Sequence, residues 1–354
     1  MNDRRSAAGE WHFSEATSPQ LPRPTPVVAA RNLSYLPDGH RLQTLNLYLP
    51  HTPETAALIG HPVTTLAALL PGTGHPEAQV HVHGGAWRDP FLDARSIEPA
   101  VAHAFSEAPL PIRMVASLNY TLSEFPGHPG APYDAVGDDH ADPAREAVHP
   151  RHVRDVYAAL DFLRSLGLSD GSYVLSGHSA GACLAFQAAF GAPALFGIPD
   201  LPEPPVPAAV IGLNGLYDLP GLVLGLGPSH EKSSQDYRSM LATAFGPDDR
   251  VWAAASPARF DPDTMARRLQ ANRAPRLVLL DQSTRDQLVP VSQRERLEAN
   301  LSRVPGLRVV IGDRCTGRHA EPWQGGDMIW NSVRDALRAL ADTAAEAGPG
   351  RTGN

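Results

Sequence analysis

The stretch that most constrains this chain is residues 172–187, where Ser172-Tyr173-Val174-Leu175-Ser176 runs into Gly177-His178-Ser179-Ala180-Gly181 and leaves as Ala182-Cys183-Leu184-Ala185-Phe186-Gln187. The first run is β-rich and the last is helical. A strand that turns into a helix within five residues brings the two elements almost into contact, and glycines two positions either side of Ser179 leave the space. The serine then sits on a strained turn with its hydroxyl exposed. The unpaired N–H groups of the helix start converge beside it. Ser179 is therefore the candidate nucleophile.

The rest of the chain repeats the same alternation. Short β-rich runs at 79–83, 112–118, 173–176, 208–213, 276–280 and 308–311 are separated by helical patterns, which predicts an α/β fold: a mostly parallel central sheet flanked by helices. The clearest helix is 151–166, where Val153, Val156, Tyr157, Leu160, Leu163 and Leu166 form one apolar stripe and Gly167 can end it. Ahead of these lie runs at 33–36 and 45–49 around Pro37-Asp38-Gly39, the pattern of an antiparallel hairpin.

With 354 residues, one domain with insertions is expected over 31–345. Residues 1–30, rich in Pro, Ser and Ala without a period, read as a mobile N-terminal arm, and 346–354 as a flexible tail. The Pro/Thr/Ala/Gly segment 50–78 reads as a poorly ordered surface insertion. Residues 219–263 are too long for a simple crossover and read as an inserted cap over the site. A net charge of −8 argues against nucleic acid or an anionic membrane as partner. Cys183 and Cys315 are too few for a disulfide framework and lack CxxC spacing. Together with a polar start, Met1-Asn2-Asp3-Arg4-Arg5, and no apolar run of spanning length, they suggest a cytoplasmic protein.

A serine hydroxyl needs a histidine base, and that base needs a carboxylate to hold its tautomer. Only His230 and His319 follow Ser179. His230 falls in the expected cap, whereas His319 follows the last strand, so His319 is the better base. The loop after 277–280 offers Asp281 and Asp286; Asp286 lies far enough out to reach His319 and is preferred, with Asp218 and Asp313 as weaker rivals. His83-Gly84-Gly85-Ala86-Trp87 directly follows the strand at 79–83. Its glycines can turn N–H groups toward a carbonyl oxygen, so Gly84 and Gly85, with Ala180, are the expected oxyanion hole. His83 reads as a loop anchor. Trp87 either packs the loop or lines the pocket. His128, His140, His149 and His152 lie amid Asp134, Asp138, Asp139 and Asp142, but lack metal-ligand spacing and read as a solvated loop. Neither a metal nor an organic cofactor is required.

These motifs together resemble the α/β-hydrolase superfamily. More narrowly the chain is similar to the kynurenine formamidase (arylformamidase) family, especially its fungal members. The similarity runs over about residues 80–330, through His83-Gly84-Gly85-Ala86-Trp87-Arg88-Asp89-Pro90, His149-Pro150-Arg151-His152-Val153, the elbow, Gly215-Leu216-Tyr217-Asp218-Leu219, and Gly317-Arg318-His319 with Glu321 and Trp323. It implies hydrolysis of N-formyl-L-kynurenine to L-kynurenine and formate, with Trp87 and Tyr217 near an aromatic small-molecule substrate. A homodimer is compatible with it. The rival expectations are a short-acyl carboxylesterase with the same triad and a non-catalytic binding protein of the same fold.

Overall fold

The computed structural model describes residues 9–64, 66, 70, 75–138, 140–224 and 230–347. Its strands are β1 His12–Ala16, β2 Thr25–Ser34, β3 Thr44–Pro50, β4 Ala78–Val82, β5 Met114–Leu118, β6 Tyr173–His178, β7 Ala209–Leu213, β8 Leu277–Asp281 and β9 Arg308–Gly312. Among the described residues these form one nine-stranded sheet in the order β1-β2-β3-β5-β4-β6-β7-β8-β9. The pairs β1–β2, β2–β3 and β3–β5 are antiparallel. From β5 to β9 the sheet is parallel.

Central strands β4, β6, β7 and β8 are buried along their whole length, as strands covered on both faces must be. The helices are α1 Pro53–Ala56, α2 Glu98–Ser106, α3 Arg151–Leu166, α4 Ala180–Phe190, α5 Ser234–Phe245, α6 Asp249–Ala255, α7 Pro262–Gln270, α8 Ser292–Leu301, α9 Glu321–Gly325 and α10 Asp327–Ala347. One face of the sheet packs on α2 and α10 through Val101, Phe105, Ile329, Trp330 and Val333. The other carries α3, α4 and α8 through Val156, Leu160, Leu163, Phe186, Leu297 and Leu301. The apolar stripe expected on 151–166 is thus the inner face of α3.

The N-terminal reading needs correction. Residues 1–8 lie outside the described residues, but β1 and the first part of β2 fall within the stretch expected to be a mobile arm and tie it to the sheet. The local signal is weak because β1 is an edge strand, buried only at Ala16, and one neighbouring strand suffices to hold it. Trp11, 2% exposed, anchors its start in the core. The segment expected as a loose insertion over 50–78 is also partly built in. α1 follows β3, Leu66 is fully buried, and the Leu66 N–H donates to the Leu166 carbonyl at 2.6 Å. Residues 65, 67–69 and 71–74 lie outside the described residues, as do 225–229 of the expected cap and 348–354 of the tail. The described part of 219–263 contains α5 and α6.

The tightest backbone approach lies at the elbow between β6 and α4. A Cβ on Gly181 would stand 2.1 Å from the Val82 carbonyl oxygen and 2.3 Å from that of His83, and one on Gly177 would stand 2.3 Å from the Gly181 oxygen. Backbone cannot yield as a side chain can. Gly181→Ala is therefore expected to destabilise the fold by about 3 kcal/mol or more, read as a lowered urea midpoint, and an unchanged midpoint would contradict the close approach.

Candidate active site

Ser179 joins β6 to α4 with φ +55° and ψ −122°, a backbone conformation that side chains rarely adopt and that costs on the order of 1–3 kcal/mol. The surrounding structure holds it there. Its N–H donates to the Leu213 carbonyl at 3.0 Å, and its own carbonyl accepts from Ala182 at 3.0 Å and Leu216 at 3.3 Å. The side chain opens onto a cavity of about 310 Å³ that His319 also lines.

His319 follows β9 and lies 8% exposed. Its Nδ1 stands 2.7 Å from Oδ2 of Asp286. A carboxylate only accepts, so Nδ1 is the nitrogen that donates, and Nε2 is left free of Asp286. Asp286 is fixed in turn: Oδ1 accepts from the Leu288 N–H at 2.8 Å and the Val289 N–H at 2.9 Å, and Oδ2 accepts from Gln282 Nε2 at 3.3 Å. The His319 loop is pinned at both backbone groups, its N–H donating to Gln287 Oε1 at 3.1 Å and its carbonyl lying 2.9 Å from His178 Nε2.

The rival carboxylates have other work. Asp281, at the end of β8, accepts from the N–H groups of Arg314 and Cys315 and from the Ser332 hydroxyl, closing the turn after β9. Asp218 is clamped by Arg259 and Arg296. Asp313 is exposed beside Arg314. His230 packs its Nε2 3.2 Å from the Asp286 carbonyl.

The loop after β4 is held by its carbonyls. The Gly84 oxygen lies 2.8 Å from His83 Nδ1 and accepts from the Tyr120 hydroxyl at 2.9 Å, and the His83 and Tyr120 rings stack at 4.5 Å. The Gly85 oxygen accepts from the N–H groups of Arg88 and Asp89. In a trans peptide the N–H points opposite the carbonyl, so the Gly85 and Ala86 N–H groups face away from those partners. Among the described residues neither donates to a protein acceptor, and both residues border the cavity. Gly84, expected beside them, instead packs its α-carbon against His178 and Ser179 and does not border the cavity. Ala86 was not anticipated, because only its position in the folded loop marks it.

Two expected pocket residues lie elsewhere. Trp87 is fully buried and meets Phe245 of α5 edge-on at 5.0 Å, and Tyr217, 1% exposed, packs against Phe186 beneath the elbow. Both are large aromatics beside glycines, a pattern that fits a pocket wall or a packing wedge equally. The walls are instead Phe125, Tyr237, Met240, Leu288 and Trp323, with Arg88 and Asp89. These come from separated segments, and only Arg88, Asp89 and Trp323 carried a sequence signal, through the family resemblance. The histidines expected in a solvated loop divide. His149, half-buried just ahead of α3, and His152, buried in its first turn, both pack against Phe245. His128 lies between Phe91 and Phe125, His140 is exposed, and Asp139 lies outside the described residues.

Buried imidazoles surround the elbow in neutral form. Burial pushes His81 down to about 3, His83 down to about 4 and His152 down to about 3, and it holds His178 well below its ordinary value. The unfolded chain takes up these protons near pH 6.5 while the folded one refuses them. Stability should thus be full above about pH 6.5 and fall progressively as pH drops toward 3–4. A urea midpoint already lower at pH 5 than at pH 7.5, above the range where carboxylates titrate, checks this.

Sequence comparison finds a kynurenine formamidase-like hydrolase of Fusarium equiseti, 31% identical over 268 residues, covering 74% of this chain and 83% of that protein. A kynurenine formamidase of Aspergillus versicolor is 30% identical over 71% of this chain and 84% of its own length. One from Meyerozyma guilliermondii is 27% identical over 78% of this chain and 90% of its own length. No family model matches the chain. Among solved structures, esterase B from Lactobacillus rhamnosis superposes with a TM-score of 0.58 at 16% identity, covering 91% of this chain and 88% of that one. A truncated carbohydrate esterase from gut microbiota gives 0.54 at 17% identity, covering 90% and 96%. The nine-stranded sheet is thus an α/β-hydrolase fold, and the chain belongs to the kynurenine formamidase family.

Proposed function

We propose that this protein hydrolyses N-formyl-L-kynurenine to L-kynurenine and formate, a step of tryptophan catabolism, through a Ser179-His319-Asp286 triad. The observation that carries this reading is that Ser179 and the Asp286-bound His319 open onto one cavity walled by Phe125, Tyr237 and Trp323. Family membership supports the substrate. A cavity of about 310 Å³ with aromatic walls suits a single-ring substrate.

In this mechanism the Ser179 hydroxyl gives its proton to His319 Nε2 as its oxygen attacks the formyl carbon. Negative charge gathers on the formyl oxygen, and the N–H groups of Gly85, Ala86 and Ala180 receive it at the positive end of α4. His319 then protonates the aryl nitrogen as the C–N bond breaks, releasing L-kynurenine and leaving a formyl ester on Ser179. Water, deprotonated by His319 Nε2, attacks the ester, and formate leaves as Ser179 recovers that proton from His319. Asp286 holds the ring and offsets its transient positive charge. No metal or organic cofactor takes part in any step.

The test is turnover of N-formyl-L-kynurenine by the purified protein, with Ser179→Ala expected to abolish it. Asp286→Asn should lower kcat about ten-thousand-fold by presenting the wrong tautomer, whereas Asp281→Asn should act on stability. Brisk cleavage of p-nitrophenyl acetate beside negligible formamide cleavage would instead make it a short-acyl esterase. Failure of a fluorophosphonate to label Ser179 would leave only a binding role.

A further inference from the structure

Among the described residues that line the cavity, Arg88 and Asp89 are the only ones of the Arg, Lys, Asp and Glu types. Asp89 is committed: its Oδ1 accepts from the Phe91 N–H at 2.9 Å and stands 3.5 Å from His128 Nε2. Arg88 is not. Its guanidinium makes no hydrogen bond or ion pair with any described protein group, and its Nε is buried without a partner. The guanidinium carbon instead lies 4.0 Å from the centre of the Phe125 ring. The half-buried Arg296, by contrast, is paired on Asp218, and the buried Arg145 at least donates to the Ala131 carbonyl while lying 5.1 Å from the centre of the Tyr133 ring. A ring face only partly offsets the desolvation of a cation, and burial lowers the Arg88 pKa even against the opposing charge of Asp236 on α5, which stands outside ion-pair distance. The Arg88 backbone N–H donates to the Gly85 carbonyl at 2.9 Å, so its backbone sits one turn from the Gly85 and Ala86 N–H groups, and its side chain lines the same cavity as Ser179.

We propose that Arg88 is the substrate-binding cation of this site and that the substrate bears a carboxylate seated on its guanidinium. The ligand class is an aryl formamide with a carboxylate on a side arm, held at two points: the carboxylate by the Arg88 fork, the formyl oxygen by the backbone N–H groups. Phe125 keeps the fork flat and aimed. This inference rests on the formamidase reading of the same cavity.

The experiment compares N-formyl-L-kynurenine with 2-formamidoacetophenone, which keeps the aryl formamide and lacks the carboxylate, in wild type, Arg88→Gln and Arg88→Lys. The wild type should favour the carboxylated substrate in kcat/KM, chiefly through KM. Arg88→Gln should cut that preference about 30-fold, the worth of a charge-assisted hydrogen-bond pair, and Arg88→Lys should restore part of it. A preference that Arg88→Gln leaves unchanged overturns the proposal while the formamidase reading stands. Calorimetric titration with L-kynurenine gives a readout independent of turnover. If the wild type cleaves neither formamide yet binds L-kynurenine about tenfold or more tightly than Arg88→Gln does, the formamidase reading falls and the carboxylate site stands. Equal binding by both proteins overturns the carboxylate site.

Discussion

The contact between the α-carbon of Gly181 and the carbonyls of Val82 and His83 is the constraint on which the site depends. It joins the two loops to which the proposed mechanism assigns opposite halves of the chemistry. The elbow presents Ser179, and the loop after β4 presents the Gly85 and Ala86 N–H groups. Their separation is set by backbone packed against backbone, the least compressible arrangement a protein interior offers. Gly84 repeats the device from the other side, lying against His178 and the Ser179 Cβ. The strained φ of Ser179 follows from this. A residue confined between β6, α4 and the end of β4 has no unstrained path, and the hydrogen bonds to Leu213 and Leu216 hold the result.

Electrostatics near the serine are kept sparse by burial. His81, His83, His152 and His178 stay neutral, so each serves as a directional hydrogen-bonding group and adds no charge that would compete for Asp286. His83 shows the logic: Nδ1 can only donate to the Gly84 carbonyl, and that bond aims the following peptide N–H toward the cavity side. His178 does the same for the other wall by tying the His319 carbonyl. Asp286, the carboxylate that His319 meets, is surrounded by donors, three of them fixed by its own loop.

The parts of the fold and site legible in the sequence are those specified by local geometry. The central strands, α3 and the elbow announce themselves because each is a short-range pattern: an apolar run, a 3.6-residue stripe, a pair of glycines around a serine. His319 and Asp286 could be chosen by chain order and by how far each stands from its strand, and the structure brings them into contact. β1 escaped because an edge strand buries almost nothing. The anchoring of Leu66 on α3 escaped because it depends on a partner a hundred residues away. The cavity walls were illegible for the same reason. Phe125, Tyr237, Leu288 and Trp323 meet only after the sheet has ordered the loops above it, and no local period marks them.

The fate of Trp87, Tyr217 and Asp218 says what the family resemblance measures. These residues carried the likeness, yet none lines the cavity. Trp87 wedges the loop after β4 against Phe245, Tyr217 fills the space under α4, and Asp218 clamps Arg259 and Arg296. Each sets where the site's backbone lies. A likeness built on such residues reports the shape of the loop and elbow, hence the reaction geometry, while the walls answer only to whatever fills the cavity. Arg88 sits at the junction of the two. Its backbone belongs to the fixed loop and its side chain to the variable wall, so a change there alters what is recognised without moving the groups that would react.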